Sequence, residues 1–427
     1  MRSRYWNLAI GSGLFLMAGM GGTGCSKDDA QQTGSGGAKG SGGAAGSGGA
    51  VGSGGAVGSG GATQSDAAMD ATTASDGPGP DVLAAKAPAA AYVLSNNPAG
   101  NALVSYARAA DGSLSGGAIT ATGGKGTGAG LGDQGALAFD ATSNLFFAVN
   151  AGDSSISMLS LNSDGMVTLL DNVSSGGISP VSITEHGGWV YVVNSGDAPA
   201  GGTAHPANIA GFKVAGNKLA PLNLTQPLSA AQPMPAQIQF TPDGTLLIVT
   251  EKGTNMIDVF PVPATGMAGP GKFQASAGMT PFGFEFAGNV LIVSEAAGAA
   301  ANATTMSSYT WAADGTLTAK TSHLATTRTA ACWVTVSGKY AYATNTQTFD
   351  VTSFRVEADG AITLLQATAG MTSPNPIDEQ ATADGYLYVL SAKASAINTF
   401  KIGADGALTK SADFPLQLTT AGGLIAR

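Results

Sequence analysis

Residues 123–135 read GGKGTGAGLGDQG, and inside them Gly130, Gly132 and Gly135 stand in the G-x-G-x-x-G order of a phosphate-cradling loop. Lys125 and Thr127 add a cation and a hydroxyl. That chemistry requires a strand before the loop, a helix after it and an acid about twenty residues on. Here an apolar strand, QGALAF, follows, with no helical period nearby, and Lys125 is followed by Gly126 rather than Ser or Thr. The stretch is a connector between strands.

Other residue types could still do chemistry. Glu251 and Glu295 end two matching apolar runs, LLIVTE and LIVSE, and two acids facing one pocket can divide acid and base roles. Each could equally be a rim charge in water. Arg328 can pair a carboxylate or phosphate bidentately, or an acid on the rim. Lys125 in its glycine loop could hold an anion with backbone amides. The histidines His186, His205 and His323 show no metal-ligand spacing, and no Ser-His-Asp arrangement, G-x-S-x-G or H-E-x-x-H occurs. Neither a metal nor a cofactor is expected.

These residues need elements to position them. From Tyr92 onward, short β-branched and aromatic runs alternate with Gly, Asn and Asp turns. PAQIQFTPDGTLLIVTEKGTNMIDVFPV matches GALAFDATSNLFFAVNAGDSSISMLSLNSDGMVTLL, and the pattern returns seven times at about 48 residues. Four strands per copy predict an all-β, seven-bladed β-propeller over residues 91–427. The first copy, AYVLSNNPAG…, lacks its opening strand, and the terminal TTAGGLIAR has no other home. Pairing the two closes the ring and removes an open edge.

The repeat also predicts a shared face, where outer-to-inner connections and second-to-third-strand loops emerge. The second strands end there in Ser95, Asn150, Asn194, Glu251, Glu295, Asn345 and Ser391. The asparagines are either turn formers or substrate ligands. Gln134, Lys125 and Arg328 arrive on the connections, while the three histidines are placed off this face. Cys332 should begin an inner strand as a buried apolar side chain.

Before the propeller, residues 1–25 have two arginines, an apolar run and small residues ending at Cys25, the order of a secretory signal. A cysteine in that place resembles a bacterial lipoprotein signal, which implies lipidation at Cys25 and export to the cell envelope, at the outer membrane or periplasmic face. With Cys25 lipidated, Cys332 has no disulfide partner. Residues 26–90 repeat GSGGA and predict a disordered Gly/Ser/Ala tether. A net charge of −9 argues against nucleic acid, and a monomer touching the membrane only through its lipid is expected.

The loop TGGKGTGAGLGDQGAL with FAVNAG, PFGF, VSEA and AACWV resembles the lactonase-type seven-bladed propellers. That group includes 6-phosphogluconolactonase-like proteins and the 3-carboxymuconate cyclases; YVVN and YATN also resemble YVTN surface repeats. The resemblance implies a lactonase-like hydrolase or a lactonizing isomerase acting on a small anionic lactone. In the cyclases a histidine, arginines and a glutamate are implicated around the central pocket. By location, Glu251, Glu295 and Arg328 are the counterparts here, with no histidine among them. The alternative is a non-catalytic surface propeller that binds a glycan, peptide or partner protein.

Overall fold

A computed structural model describes residues 87–200 and 202–427; the signal, most of the tether and Cys25 lie outside the described residues. The described chain forms seven antiparallel sheets of four strands each, arranged as the blades of a propeller. Second strands such as Leu145–Asn150, Leu246–Glu251 and Tyr386–Ser391 are buried along their whole length, because neighbouring blades cover both faces. Outer strands such as Lys218–Pro227 alternate between covered and exposed side chains, as one-sided strands do.

Ring closure follows the expectation. Leu424–Ala426 becomes the inner strand of blade one and pairs antiparallel with Ala90–Leu94, matching Ala91 with Ala426, Tyr92 with Ile425 and Val93 with Leu424. Ala87 is already buried, and the first described strand begins at Ala90.

Blades are locked by a recurring contact between a second-strand tyrosine and a turn of the next blade. Tyr388 Oη donates to Gly112 O at 2.8 Å, Tyr342 Oη to Gly406 O at 3.0 Å and Tyr191 Oη to Gly266 O at 2.7 Å. Gly112 (φ 82°) and Gly406 (φ 82°) sit in Asp-Gly turns, and a Cβ at either would run into the ring of Tyr386 or Tyr340. Glycine there serves the turn and the blade contact together.

The blade connections and the loops between second and third strands form the upper face. Hairpins between first and second, and between third and fourth strands, form the lower face. Both ends of the propeller lie on the lower face, with Ala90 N donating to Arg427 O at 3.2 Å and Arg427 N to Ala90 O at 3.0 Å. Cys332 is buried in an inner strand, as expected, with its sulfur 3.2 Å from Ala330 O.

Candidate functional site

Four blades build their upper loops on one template. Ala151–Ser154, Lys252–Asn255, Thr346–Phe349 and Ala392–Ser395 each join second to third strand in four residues. The fourth residue of each is left-handed, with φ of 58° at Ser154, 58° at Asn255, 57° at Phe349 and 47° at Ser395. Its carbonyl accepts a hydrogen bond from the connection that leaves the same blade, from Ser175, Ser276, Thr372 and Leu416 respectively.

The second residue decides what lies above. In blades two and four it is Gly152 and Gly253, whose N–H groups donate to Lys125 O at 2.9 Å and Pro233 O at 2.8 Å. A Cβ at Gly152 would overlap Gly126 O, so glycine lets the connection lie directly on the loop. In blades six and seven the position holds Gln347 and Lys393. There the surface opens into a pocket of about 670 Å³. Gly128–Gly130 of the glycine-rich connector line it together with Thr346, Gln347, Phe349 and Lys393, and Asn375, Ile377 and Thr420 complete the lining.

The same connector then drops into the central channel. Gln134 N donates to Ala236 O of blade four at 3.0 Å, and its side chain pairs with blade six. Gln134 Nε2 donates to Val334 O at 2.7 Å and Gln134 Oε1 accepts from Val334 N at 2.9 Å. Trp333 Nε1 donates to Asp133 O at 2.7 Å, and Lys252 Nζ donates to Gly132 O while sitting 4.9 Å from the Phe282 ring centre. The G-x-G-x-x-G stretch is therefore a plug that ties three blades together across the channel mouth.

Below the plug lies a second cavity of about 220 Å³, lined by Glu185, Glu285, Asp378 and Glu379 with Gln237, Gln239 and Gln380. Burial pushes Asp378 up to about 7, even though it accepts from Leu424 N at 2.7 Å and Glu379 N at 2.9 Å. Burial, then the neighbouring Asp378, raises Glu379 well above the carboxylate range, with the backbone of Thr344 and Thr335 opposing the shift. Asp133 is also raised by burial, with Lys252 opposing the shift and Asp378 adding to it. Protonation lets the channel carry these acids without matching cations.

Glu251, Glu295 and Arg328 line neither cavity. Glu251 is fully buried; it accepts from Ser229 N at 2.9 Å and from the hydroxyls of Ser229 and Thr254. Glu295 is equally buried and accepts from Gly278 N at 2.7 Å and Thr305 Oγ1 at 2.5 Å. Both carboxylates hold an incoming connection against its own blade. Arg328 takes the rim ion pair, with Nε 3.3 Å from Asp350 Oδ2, and also donates to Ala367 O.

The asparagine column does the same work with amides. Asn150 Oδ1 accepts from Thr122 Oγ1 at 2.7 Å and Asn101 Nδ2 at 3.0 Å, Asn194 Nδ2 donates to Ser175 O at 3.2 Å, and Asn345 Nδ2 donates to Asp350 Oδ1 at 2.8 Å. All three are fully buried, and none is left-handed. Their side chains bridge strands and loops. Lys125 is exposed and lines neither cavity, while Gln134 is the channel crossbar and lines the lower one.

His205 departs from its expected place. It lies in the blade-three loop between second and third strands, hence on the upper face, with Nδ1 2.6 Å from Asp197 Oδ1. Reading each copy alone missed Gln347, Phe349 and Lys393; the signal is the loss of glycine at the second loop position in two copies. Among the described residues no group of His, Cys, Asp or Glu could hold a metal ion, and no helix is long and apolar enough to cross a membrane.

Solved structures place this architecture among known propellers. The periplasmic gluconolactonase of Pseudomonas aeruginosa aligns at TM-score 0.63 and 15% identity, covering 79% of this chain and 98% of that one. The chain shares its seven-bladed fold. A Bacteroides uniformis protein, provisionally named a 6-phosphogluconolactonase, aligns at 0.62 and 17%, covering 79% and 99%. A Sulfolobus tokodaii protein named as selenium-binding aligns at 0.59 and 9%, covering 79% and 93%. Such different names on one scaffold leave function to the site. No family model and no curated protein matches the sequence.

Proposed function

We propose that the protein is a lactonase-like propeller that takes a small polyhydroxylated lactone in the upper-face pocket. The observation that carries this is the pocket itself. Its volume, about 670 Å³, suits a small molecule, and its lining offers hydroxyls, amides, one aromatic ring and one cation beside the apolar side chains of Ile377, Ala129, Ala392 and Ala421. Lys393 takes the part expected of Lys125 and Arg328, that of meeting an anionic group on the ligand. Lipid anchoring through Cys25 in the cell envelope belongs to the same reading, supported by the order of residues 1–25.

Opening a lactone adds water across the acyl C–O bond and yields an acid and an alcohol. The proton of that water needs a base, and no carboxylate or imidazole lines the pocket. That observation favours a second reading, a propeller that binds the lactone or acid without turning it over.

Acid release from a panel of lactones, with and without phosphate or carboxylate, tests both readings when calorimetric binding is measured in parallel. Turnover reduced by Lys393→Gln supports the lactonase. Binding without turnover, weakened about tenfold for anionic ligands by Lys393→Gln, supports the binding propeller. Neither turnover nor binding overturns the proposal.

A further inference from the structure

We infer that Phe349 is a stacking platform that makes this pocket select cyclic ligands over their open-chain acids. The inference deepens the pocket reading above and rests on it. The four matched loops place Ser154, Asn255, Phe349 and Ser395 at one left-handed position. Asparagine tolerates that backbone and serine is small, whereas a bulky aromatic there is an outlier. Loop closure does not call for it, because the same carbonyl hydrogen bond forms in all four blades.

The ring is not spent on the core either. Phe349 is 38% exposed and lines the pocket. Its backbone is fixed on both sides, with Phe349 N donating to Asn345 O at 2.9 Å and Phe349 O accepting from Thr372 N at 2.9 Å. A strained, rigidly held and exposed aromatic side chain at a pocket is a functional feature. The pocket is also lined by polar Gln347 and Lys393, by apolar Ile377 and Ala421, and by Gly128–Gly130 of the connector.

A sugar-derived ring fits this arrangement, with its C–H face on the phenyl group and its oxygens toward amide, ammonium and backbone. The open-chain acid has the same oxygens but no flat face, and it must freeze more rotors to bind. Phe349 is thus a specificity-determining residue, separating lactone from hydrolysed acid.

The test is calorimetry with a stable five-membered aldonolactone and with the sodium salt of its open-chain acid. Wild type, Phe349→Asn and Phe349→Tyr are compared. Wild type is expected to prefer the lactone by about tenfold. Phe349→Asn, the same kind of residue as Asn255, should stay folded and bring that preference to about twofold or less, with Phe349→Tyr restoring it. A preference unchanged in a folded Phe349→Asn variant overturns the inference. If wild type binds neither compound, the lactone reading fails separately, and a neutral methyl pyranoside is then titrated. Binding that depends on Phe349 keeps the platform, and absent or Phe349-independent binding ends it.

Discussion

Asp258 shows how a buried carboxyl can serve structure and still write itself into the pH profile. Burial first, then the hydrogen bond and charge of Glu251, push it up to about 9. The folded protein therefore keeps a proton on this pair that the unfolded chain releases near its ordinary value of about 4. The unfolded state binds fewer protons across that window, so this group's contribution to stability is full below about pH 4 and declines as pH rises toward 9. The slope is at most about 1.4 kcal/mol per pH unit. Asp258→Asn should flatten the decline, as urea unfolding at pH 5 and pH 8.5 would show; equal slopes in both proteins would contradict it.

Glu295 makes a complementary prediction. Its oxygens accept from Gly278 N and Thr305 Oγ1, and an amide can satisfy only part of that set. Glu295→Gln should cost about 1–3 kcal/mol in urea unfolding while leaving pocket affinity and any turnover unchanged. Lost turnover in a folded variant would return the base role to Glu295.

Among the elements, the glycine-rich connector does the most with the least sequence signal. Gln134→Ala removes two hydrogen bonds and leaves Val334 N and O without them inside the protein. The expected cost is about 2–4 kcal/mol, read from chemical unfolding, with the channel no longer barred. A neutral outcome would mean that Trp333 and Lys252 alone hold the plug.

This connector also marks how far the sequence could be read. Its strand-linking role was legible, since a strand and no helix follows Gly135. The plug was not: Gln134 and Val334 are 200 residues apart, and no local pattern announces such a pairing. The polar column is legible as a repeat, but a lone strand end does not show that Glu251, Glu295 and the asparagines are buried against neighbouring loops. The pocket was hidden for another reason. It exists through a difference between copies, Gln347 and Lys393 against Gly152 and Gly253, and a search for likeness passes over differences.

At the scale of the whole ring, stability depends on a strand of three residues. Leu424 and Ala426 are buried, and Leu424 N also donates to Asp378 in the channel wall. Truncation after Gly423 should open blade one, uncover the edge of Ala90–Leu94 and cost at least about 3 kcal/mol. A truncated protein with an unchanged unfolding midpoint would show that blade contacts alone close the ring. The channel acids add a second global effect of the same sign as Asp258, because Asp378 and Glu379 also hold protons in the folded state that the unfolded chain gives up.

The meeting of Ala90 and Arg427 on the lower face has a practical meaning for orientation. A propeller gripped by either end is gripped from behind, and its pocket opens away from the grip. Coupled to a bead, a sensor chip or a fused domain through its termini, the molecule would behave like an upright cup. Ligand would reach Phe349 and Lys393 without passing the support.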